Sequence, residues 1–589
     1  MRSECVLEIT DWQFQIDQDD IGEEHGWNLP GCDRSLWRDV RAPEPWDFYA
    51  SALRGYQGVG WFATSIPSAV LTEGMAHELR FAGVGGKARI FVDGLLVGQN
   101  GIRYLPFSVV IRRPDDRLSD VIVVVHVDNR PSRDALPGSG NIEWVLFGGL
   151  IQRVDLLEHP MVRVDHVGIR ALPADGGGTV NATVTVVNAG ASPVTGTLVC
   201  EVQGSPDSRT AAPFGCAGGA SVEVEVAVNA LHAVELWDLD DPALYVLTTA
   251  LTVDAGLVHQ RDDRFGFRTI EVVGSEIRLN GRTVFLKGHS RYDDYSPHGP
   301  CPPRDLIRAD LERMKRTGAN IVRIHYPQDA VHFEIADEIG LLFMQEVPIC
   351  WWRPGPEDPA EMYSTLLEEA HEALARMFVR DRNHPSWIIW SMGNENNTFT
   401  PVGRHAMREL VGHARRLDDS RLLTWVCDHL PDADEFSCAD LVCVNLYFGI
   451  FHGQCPAVSI SEFPELVEKP TRTALERLAI EHPNKPIVVT EFGTSGIEGL
   501  RGDTRFTLTF QARMLEAVWG TLTTCSGVAG GITWCWADYA HQRDFVTDSV
   551  PGHLNGVYGP FGVVTNERRR KDEPYAAAVR MFGGVDDGE

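Results

Sequence analysis

The sequence predicts a multidomain β plus α/β chain in which a jelly-roll β-sandwich and an immunoglobulin-like β-sandwich precede a (β/α)8 TIM barrel. Two observations support this prediction. Short alternating strands separated by Gly, Pro and Asp turns fill the chain to about residue 272, and after residue 275 apolar strands alternate with helical segments. The 589 residues are enough for two sandwiches and a barrel of roughly 250 residues.

The first two units differ in size. Residues 1–160 carry strands such as WFATSIP, KARIFVDGLLVGQ and DVIVVVHVDN, a spacing typical of a jelly roll. Residues 161–272 continue with strands such as TVNATVTVVNAG and SVEVEVAV in a unit of the size of an immunoglobulin-like sandwich. The tract SPDSRTAAPFGCAGG (205–219) is predicted to be a turn within this second unit.

The third unit, residues 273–589, is predicted to be the barrel. The segments between its strands have the apolar spacing of amphipathic helices. In RDLIRADLERMKR (304–316), for example, Ile307, Leu311 and Met314 fall on one face. Eight strand-helix units over ~300 residues indicate a TIM barrel, in which polar residues at the carboxyl ends of the strands line the active site. The eight predicted strands are VFLKGHS, NIVRIHYP, LLFMQEVP, WIIWSMGNE, RLLTWVCD, LVCVNLYF, PIVVTEFG and GGITWCWAD.

Composition and charge exclude several classes of partner. The net charge of −29 repels polyphosphate, which argues against nucleic acid or an anionic membrane. No apolar run is long enough for a membrane span, and the start MRSECVLEITDWQF does not resemble a signal peptide. The 12 cysteines form no CxxC pair, which favours a cytoplasmic location and no structural zinc.

Two strand ends carry the predicted chemistry. WIIWSMGNEN (387–396) delivers Glu395 and IVVTEFGT (487–494) delivers Glu491. The fourth and seventh strands of a barrel lie on opposite sides of its axis, so the two carboxylates face each other across a bound sugar. A retaining glycosidase holds them about 5 to 5.5 Å apart. The alternative is that one or both glutamates are structural, but a charged group at a buried strand end is costly without a use.

Several neighbouring side chains are predicted to shape the pocket. Asn394 is placed to donate to the sugar 2-hydroxyl, although an asparagine also closes turns. Tyr447 and Asn445 are predicted to hydrogen-bond the nucleophile, with a core tyrosine as the alternative. Trp534 is expected to form an apolar platform under the sugar, and Trp536 is expected to lie in the core.

The second barrel strand offers two polar side chains. Arg323 and His325 are predicted to point in alternate directions, so that only the histidine faces the barrel lumen. Further polar residues stand at or near other strand ends, and they too are expected to collect at the active site: His289, Glu346 and Asp538.

These residues belong to segments that resemble the family 2 glycoside hydrolases, the family of the β-glucuronidases, β-galactosidases and β-mannosidases. The resemblance covers nearly the whole chain. The segments that carry it are YQGVGWFATSIP (56–67), FVDGLLVGQNGIRYLPF (91–107), FGGLIQRVDL (147–156), FGFRTIEV (265–272), LNGRTVFLKGHSRYDD (279–294), IVRIHYP (321–327), RNHPSWIIWSMGNEN (382–396) and VVTEFGT (488–494).

The resemblance implies roles for the candidate residues. Glu395 would be the general acid/base, Glu491 the nucleophile and Asn394 the 2-hydroxyl contact. It also implies that a loop of the jelly roll brings Glu143 into the active site. The remaining substrate-binding candidates are His325, Asn445, Tyr447 and Trp534.

Two motifs of the family are missing. β-Glucuronidases bind the substrate carboxylate with Asn-x-Lys-Gly after the eighth strand, whereas the corresponding stretch here is YGPFG (558–562), so a glucuronate loses its main ion pair. Long β-galactosidases bind magnesium through Glu-x-His after the third strand, whereas this chain has QEVPICWWRP (345–354). We therefore expect no bound magnesium, and no metal or cofactor.

The sequence thus predicts a retaining, exo-acting β-glycosidase that resembles β-galactosidases or β-glucuronidases. A transglycosidase on the same fold and a carbohydrate-binding protein without turnover are the alternatives. The expected partner is a glycoside substrate, and neither nucleic acid nor a membrane is expected to bind. Association into a homo-oligomer is left open. The sequence does not identify the sugar, because a few hydroxyl contacts from loops decide it.

Overall fold

The computed structural model describes residues 4–112, 120–139, 142–254, 256–355, 360–453, 455–541 and 558–585. The first unit is a sandwich of a four-stranded and a six-stranded antiparallel sheet, with Phe62 and Trp46 stacked between them. Its strands are β1 Glu4–Glu8, β2 Asp11–Asp17, β3 Arg38–Arg41, β4 Val59–Ile66, β5 Met75–Phe81, β6 Lys87–Val92, β7 Leu95–Asn100, β8 Phe107–Ile111, β9 Val121–Asp128 and β10 Val154–Pro160. The sheet orders are β1-β10-β5-β8 and β3-β2-β4-β9-β6-β7.

The second unit is a sandwich of three and four strands. Its strands are β11 Val162–Ala174, β12 Gly177–Asn188, β13 Val194–Val202, β14 Thr210–Cys216, β15 Ala220–His232, β16 Tyr245–Val253 and β17 Gly256–Phe265. They form the sheets β11-β12-β15 and β14-β13-β16-β17. The buried positions of β12 and β16 are mostly apolar, among them Val180, Val184 and Leu247, so the core lies between the sheets.

The prediction of a turn over residues 205–219 is wrong for its centre, because β14 pairs antiparallel with β13 there. Phe214 and Cys216 alternate inward into the core. The tract hides this pattern behind Ala, Pro and Gly, which have low β propensity. Pro213 is tolerated because β14 is an edge strand, where a missing N–H leaves no ladder bond unmade.

The third unit confirms the predicted barrel. Eight parallel strands close in chain order, and Ile307, Leu311 and Met314 are buried on one face of the first helix, as predicted. A small sheet of β18 Ile270–Val273, β19 Glu276–Leu279 and β20 Arg282–Thr283 precedes the barrel. The barrel strands are β21 Leu286–Arg291, β22 Ile321–Ile324, β23 Leu342–Glu346, β24 Trp387–Asn394, β25 Leu422–Cys427, β26 Val442–Asn445, β27 Ile487–Glu491 and β28 Val528–Thr533, and a short pair follows, β29 Tyr539–Ala540 and β30 Tyr558–Gly559.

One of the eight predicted strand-helix units is incomplete. Residues 428–441, which connect β25 to β26, contain no α-helix, whereas each other barrel strand is followed by one. The helices are α1 Arg304–Arg316, α2 Val331–Ile339, α3 Ala360–Asp381, α4 Pro401–Leu417, α5 Lys469–Glu481, α6 Leu508–Leu522 and α7 Asp572–Phe582.

The first sandwich packs over the mouth of the barrel. Tyr104 stacks on Tyr326 with ring centroids 4.6 Å apart, and Trp144 packs against Tyr292 at 5.4 Å. These rings belong to the same buried cluster as the barrel core, so the first sandwich and the barrel share apolar packing. The predicted domain boundaries fall between β10 and β11 and within β18, and they stay predictions.

All twelve cysteines are free thiols. Within the described ranges, no helix combines the length and the apolar character that crossing a membrane requires.

Candidate active site

Both predicted glutamates line one cavity of about 630 Å³ at the carboxyl end of the barrel strands. Glu491 is the last residue of β27, and Glu395 directly follows β24. Side chains from the first sandwich line the same cavity. Its described lining is Arg133, Gly138, Ser139, Glu143, Trp144, Tyr292, His325, Cys350, Trp351, Arg353, Asn394, Glu395, Asp428, Tyr447, Phe451, His452, Glu491, Trp534 and Phe561.

Glu491 is surrounded by donors. Arg323 Nη1 lies 2.6 Å from Oε1, His325 Nε2 lies 3.3 Å from the same oxygen, and the Tyr447 hydroxyl donates to Oε2 at 2.7 Å. Burial opposes ionisation of this carboxyl, but the charge of Arg323 and the hydrogen bonds from His325 and Arg323 lower its pKa to about 2. The contact that was predicted between Tyr447 and the carboxylate of Glu491 is present.

The expectation that only one of Arg323 and His325 faces the lumen is wrong. Both side chains contact Glu491. In a strand, side chains alternate at every residue, so residues two apart share a face. Arg323 is fully buried, and it also contacts Glu346 and donates to Asn394 Oδ1 at 2.8 Å. Its guanidinium therefore joins the ends of three barrel strands.

Glu395 has the opposite environment. Burial, the charge of Glu491 and the charge of Asp428 raise its pKa. Asn445 Nδ2 donates to Oε1 at 2.6 Å, and Trp351 Nε1 donates to Oε2 at 2.8 Å, which offsets part of this effect. Glu395 also has a left-handed backbone with φ 52°, a conformation that is strained for a residue other than glycine.

Asn445 does not have the predicted partner. Its amide contacts Glu395 and Asn394 rather than Glu491, and its own oxygen accepts from Thr490 Oγ1 at 2.9 Å. Asn445 is the last residue of β26. The contact with Glu491 comes from Tyr447, two residues later in the chain. Asn394 lines the cavity, and its Nδ2 donates to Cys350 Sγ at 3.6 Å.

Glu143 reaches the cavity from the first sandwich, as the resemblance implied. The Tyr292 hydroxyl donates to its Oε2 at 3.2 Å, and the Tyr539 hydroxyl donates to its Oε1. Burial and the charge of Glu491 raise its pKa to about 8, although the hydroxyl donors oppose this shift. Besides Glu395, Glu491 and Asp428, the cavity thus holds the carboxyl group of Glu143, which the two tyrosines orient.

The other strand-end candidates divide into two groups. Trp534 lines the cavity, and its indole donates to the Tyr539 hydroxyl at 3.0 Å. Trp536 is fully buried and donates to Asp310, as expected of a core residue. His289 and Asp538 do not line the cavity, because His289 hydrogen-bonds Thr533 behind the barrel wall and Asp538 pairs with Lys571. The expectation that they belong to the site is wrong.

The sequence-based reasoning missed residues that contact the carboxyl groups of the site. Trp351, which donates to Glu395, lies in QEVPICWWRP, and its place in the loop after the third strand was the available signal. Tyr292 and Tyr539, which orient Glu143, follow the first and eighth barrel strands, where no periodic pattern singles out a residue.

The arrangement defines a class of site. Two buried carboxyl groups of one cavity have pKa values shifted in opposite directions, Glu491 downward and Glu395 upward, as in the pair that a glycoside hydrolase uses as nucleophile and acid. Residues 270–550 match the family model described as glycosyl hydrolases family 2, TIM barrel domain, and residues 162–268 match the one described as glycosyl hydrolases family 2. The chain belongs to glycoside hydrolase family 2, and it is a glycoside hydrolase.

Relatives span almost the whole chain. A β-glucuronidase of Paenibacillus borealis is 26% identical over an alignment that covers 97% of this chain and 95% of that protein. A GH2 β-galacturonidase of Eisenbergiella tayi superposes with a TM-score of 0.83 at 22% identity, covering 99% of this chain and 97% of that one. A β-glucuronidase of Ruminococcus gnavus superposes with a TM-score of 0.83 at 24% identity, covering 98% and 97%. The structural likenesses establish the shared fold.

Replacing Arg323 by methionine is expected to destabilise the fold by roughly 3–5 kcal/mol, because the buried carboxylates of Glu346 and Glu491 lose their countercharge. Urea unfolding followed by tryptophan fluorescence measures this change. Glu491 has a lowered pKa, so its stabilising interactions are present above its usual value of 4.5 and are lost as the pH falls toward about 2. The difference in free energy of unfolding between the wild type and the variant is therefore expected to become smaller as the pH falls toward about 2.

The matched control is Arg353→Met. Arg353 also lines the cavity and pairs with Asp428 at 2.8 Å, but its side chain is 53% exposed. Such a pair contributes about 0–1 kcal/mol. Equal losses of stability in the two variants contradict the central role of Arg323.

Proposed function

We propose that the chain is a retaining, exo-acting β-glycosidase that hydrolyses terminal β-linked sugars by double displacement. The observation that carries the proposal is the opposite effect of one cavity on two carboxyl groups. Burial and nearby negative charge raise the pKa of Glu395, whereas Arg323 and His325, working against burial, lower that of Glu491. Double displacement needs one protonated and one ionised carboxyl at the start.

In the first step, the carboxylate of Glu491 attacks the anomeric carbon. Glu395 gives its proton to the glycosidic oxygen as the bond between that oxygen and the anomeric carbon breaks, and the aglycone leaves as an alcohol. The product is a glycosyl ester on Glu491. Arg323 and Tyr447 keep the nucleophile ionised and oriented before the attack.

In the second step, water replaces the aglycone. The ester carries no charge, so the pKa of Glu395 falls, and its carboxylate takes a proton from the water that attacks the anomeric carbon. The sugar leaves with its original configuration, and the carboxylate of Glu491 is restored. Asn445 and Trp351 favour the ionised form of Glu395 that this step requires.

The remaining residues are assigned to substrate binding. Asn394 is proposed to donate to the 2-hydroxyl and Trp534 to pack under the ring, with His325 beside the nucleophile. Glu143, from the first sandwich, is proposed to bind a hydroxyl group at the covered side of the cavity. Because this sandwich covers one side of the barrel mouth, the site suits a terminal sugar better than the middle of a long chain.

The nucleophile and the acid are tested by two variants. Glu491→Ala is expected to lose hydrolysis of nitrophenyl β-glycosides, because no carboxylate attacks the anomeric carbon, and azide is expected to restore turnover as the inverted glycosyl azide. Glu395→Gln is expected to lose roughly 10²- to 10⁴-fold in kcat/KM on a poor leaving group, the usual contribution of a general acid. With azide, this variant is expected to form the glycosyl azide with retained anomeric configuration.

The control is Glu465→Gln, whose side chain is 74% exposed, and it is expected to keep wild-type activity. Initial rates and the configuration of the azide products, determined by NMR, provide the measurement. Substantial hydrolysis by Glu491→Ala without azide refutes the assignment of the nucleophile.

The pH profile tests the acid. Trp351→Phe removes a hydrogen bond to the ionised form of Glu395, which raises its pKa further by up to about one unit. Because Glu395 must be protonated in the first step, activity is lost as the pH rises through its pKa. The alkaline limb of kcat/KM is therefore expected to move to higher pH in the variant. The charges of Glu491 and Asp428, which also raise the pKa of Glu395, are the same in both proteins.

Trp352→Phe is the matched control. Trp352 is the next residue and is buried, but its indole nitrogen has no hydrogen-bond partner among the described residues. Its alkaline limb is expected to stay in place. An unchanged limb in Trp351→Phe contradicts the role of this hydrogen bond.

The sugar is proposed to be neutral. The relatives named above are a β-glucuronidase and a β-galacturonidase, but Phe561, within YGPFG, presents an apolar ring to the cavity in the stretch where β-glucuronidases have their lysine. A lost charge-assisted hydrogen bond costs about 1.5–3 kcal/mol.

A panel of nitrophenyl β-glycosides with one aglycone tests this choice. The kcat/KM for a β-glucuronide and a β-galacturonide is expected to be roughly ten- to a hundredfold below that of the best neutral sugar among β-galactoside, β-glucoside, β-mannoside and arabinoside. Faster hydrolysis of a uronide than of every neutral glycoside contradicts the proposal.

A further inference from the structure

A second group of reactive side chains lies behind the end of β25. Cys427 is the last residue of that strand, and His429 and Glu435 follow in the connection 428–441, the one that lacks an α-helix. Cys427 and Glu435 are buried, and the ligand atoms of all three residues lie within 4.8 Å of one another. None of the three lines the cavity, so the proposed hydrolysis does not use them.

The distances within this Cys427–His429–Glu435 cluster suit a tetrahedral ion. Cys427 Sγ is 3.5 Å from Glu435 Oε1, and His429 Nε2 is 3.0 Å from the same oxygen. Around one zinc ion, a sulfur and an oxygen ligand are separated by about 3.6 Å and a nitrogen and an oxygen ligand by about 3.4 Å. These two separations are therefore already within about half an ångström of such a geometry, and the third, between sulfur and nitrogen, is at most 4.8 Å.

The surroundings also match those of a metal-binding histidine. His429 turns Nε2 toward the cluster, while its Nδ1 lies 3.4 Å from Asp428 Oδ1. A carboxylate on the second ring nitrogen is the usual outer partner that orients a zinc-binding histidine. Thr398, three residues after Glu395, adds a hydroxyl 3.2 Å from Cys427 Sγ, which leaves an oxygen next to the fourth position.

We propose that Cys427, His429 and Glu435 bind one zinc ion, with the fourth position filled by the Thr398 hydroxyl or by water. One thiolate, one imidazole and one carboxylate form a donor set that zinc accepts and that magnesium and calcium do not favour. The ligands bind as thiolate, neutral imidazole and carboxylate, and the protons that they carry beforehand are released to solvent.

The site has a structural role in this proposal. Zinc ties the end of β25 to the connection 428–441 in place of the missing helix, next to the Thr398 hydroxyl in the segment that follows Glu395. Asp428 lies between two of the ligands and lines the cavity, so the ion also fixes this carboxylate beside Glu395. The inference departs from the sequence-based expectation of no metal site, which rested on the lack of a CxxC pair.

Metal analysis of the full-length, tag-free chain tests the proposal without any glycoside, so its failure is distinct from failure of the proposed function. Purified without chelator, the protein is expected to contain one zinc per chain, and chelation is expected to lower its thermal midpoint until zinc is restored. Cobalt(II) in place of zinc is expected to give a thiolate-to-cobalt charge-transfer band. Exposed histidines such as His405 cannot produce that band.

Two variants assign the ligands. Cys427→Ser and Glu435→Gln are each expected to weaken zinc binding at least tenfold in competition with a chromogenic chelator, and only Cys427→Ser is expected to abolish the cobalt band. Cys443→Ser changes another buried cysteine of the barrel and is the matched control. It is expected to keep wild-type zinc affinity and the cobalt band. If the cysteine variant does not fold, the wild-type band and stoichiometry still decide. Wild-type protein without the band, or binding that Cys427→Ser leaves unchanged, overturns the proposal in favour of a metal-free, hydrogen-bonded cluster.

Discussion

The guanidinium of Arg323 is the contact on which the site depends. It is fully buried at the end of β22, and it joins Glu346 of β23, Asn394 of β24 and Glu491 of β27. A buried cation and two buried carboxylates are each costly alone, and together they are stable because each supplies the countercharge that the others have lost from water. The same contact lowers the pKa of Glu491, whereas burial and nearby negative charge raise the pKa of Glu395.

The cavity is assembled from two units of the chain. The barrel supplies Glu395 and Glu491 on strands that run parallel, so their ends meet at one rim. The first sandwich contributes Glu143 and Trp144 through a loop that packs on Tyr292 of the barrel. Strand ends give the glutamates a rigid frame, whereas the sandwich closes the site through a loop.

The barrel and its two glutamates were predictable because they follow from local patterns. Parallel strands buried on both faces appear as continuous apolar runs, and a charged residue at the end of such a run is conspicuous. The edge strand β14 was missed because Ala, Pro and Gly obscure its alternation, and the shared direction of Arg323 and His325 was missed through a wrong count of strand period. Of the eight candidate site residues, Asn445 was assigned the wrong partner.

The sequence by itself determined the order of the three units, the eight barrel strands and the position of two glutamates at the strand ends, because hydrophobic period and strand ends are properties of neighbouring residues. Only the tertiary structure decided the contacts that shift the pKa values of these glutamates in opposite directions, the contact of Asn445 with Glu395, the tyrosine contacts of Glu143 and the meeting of Cys427, His429 and Glu435. The physical reason is that charge, burial and hydrogen bonding act through space, between residues whose separation along the chain carries no signal.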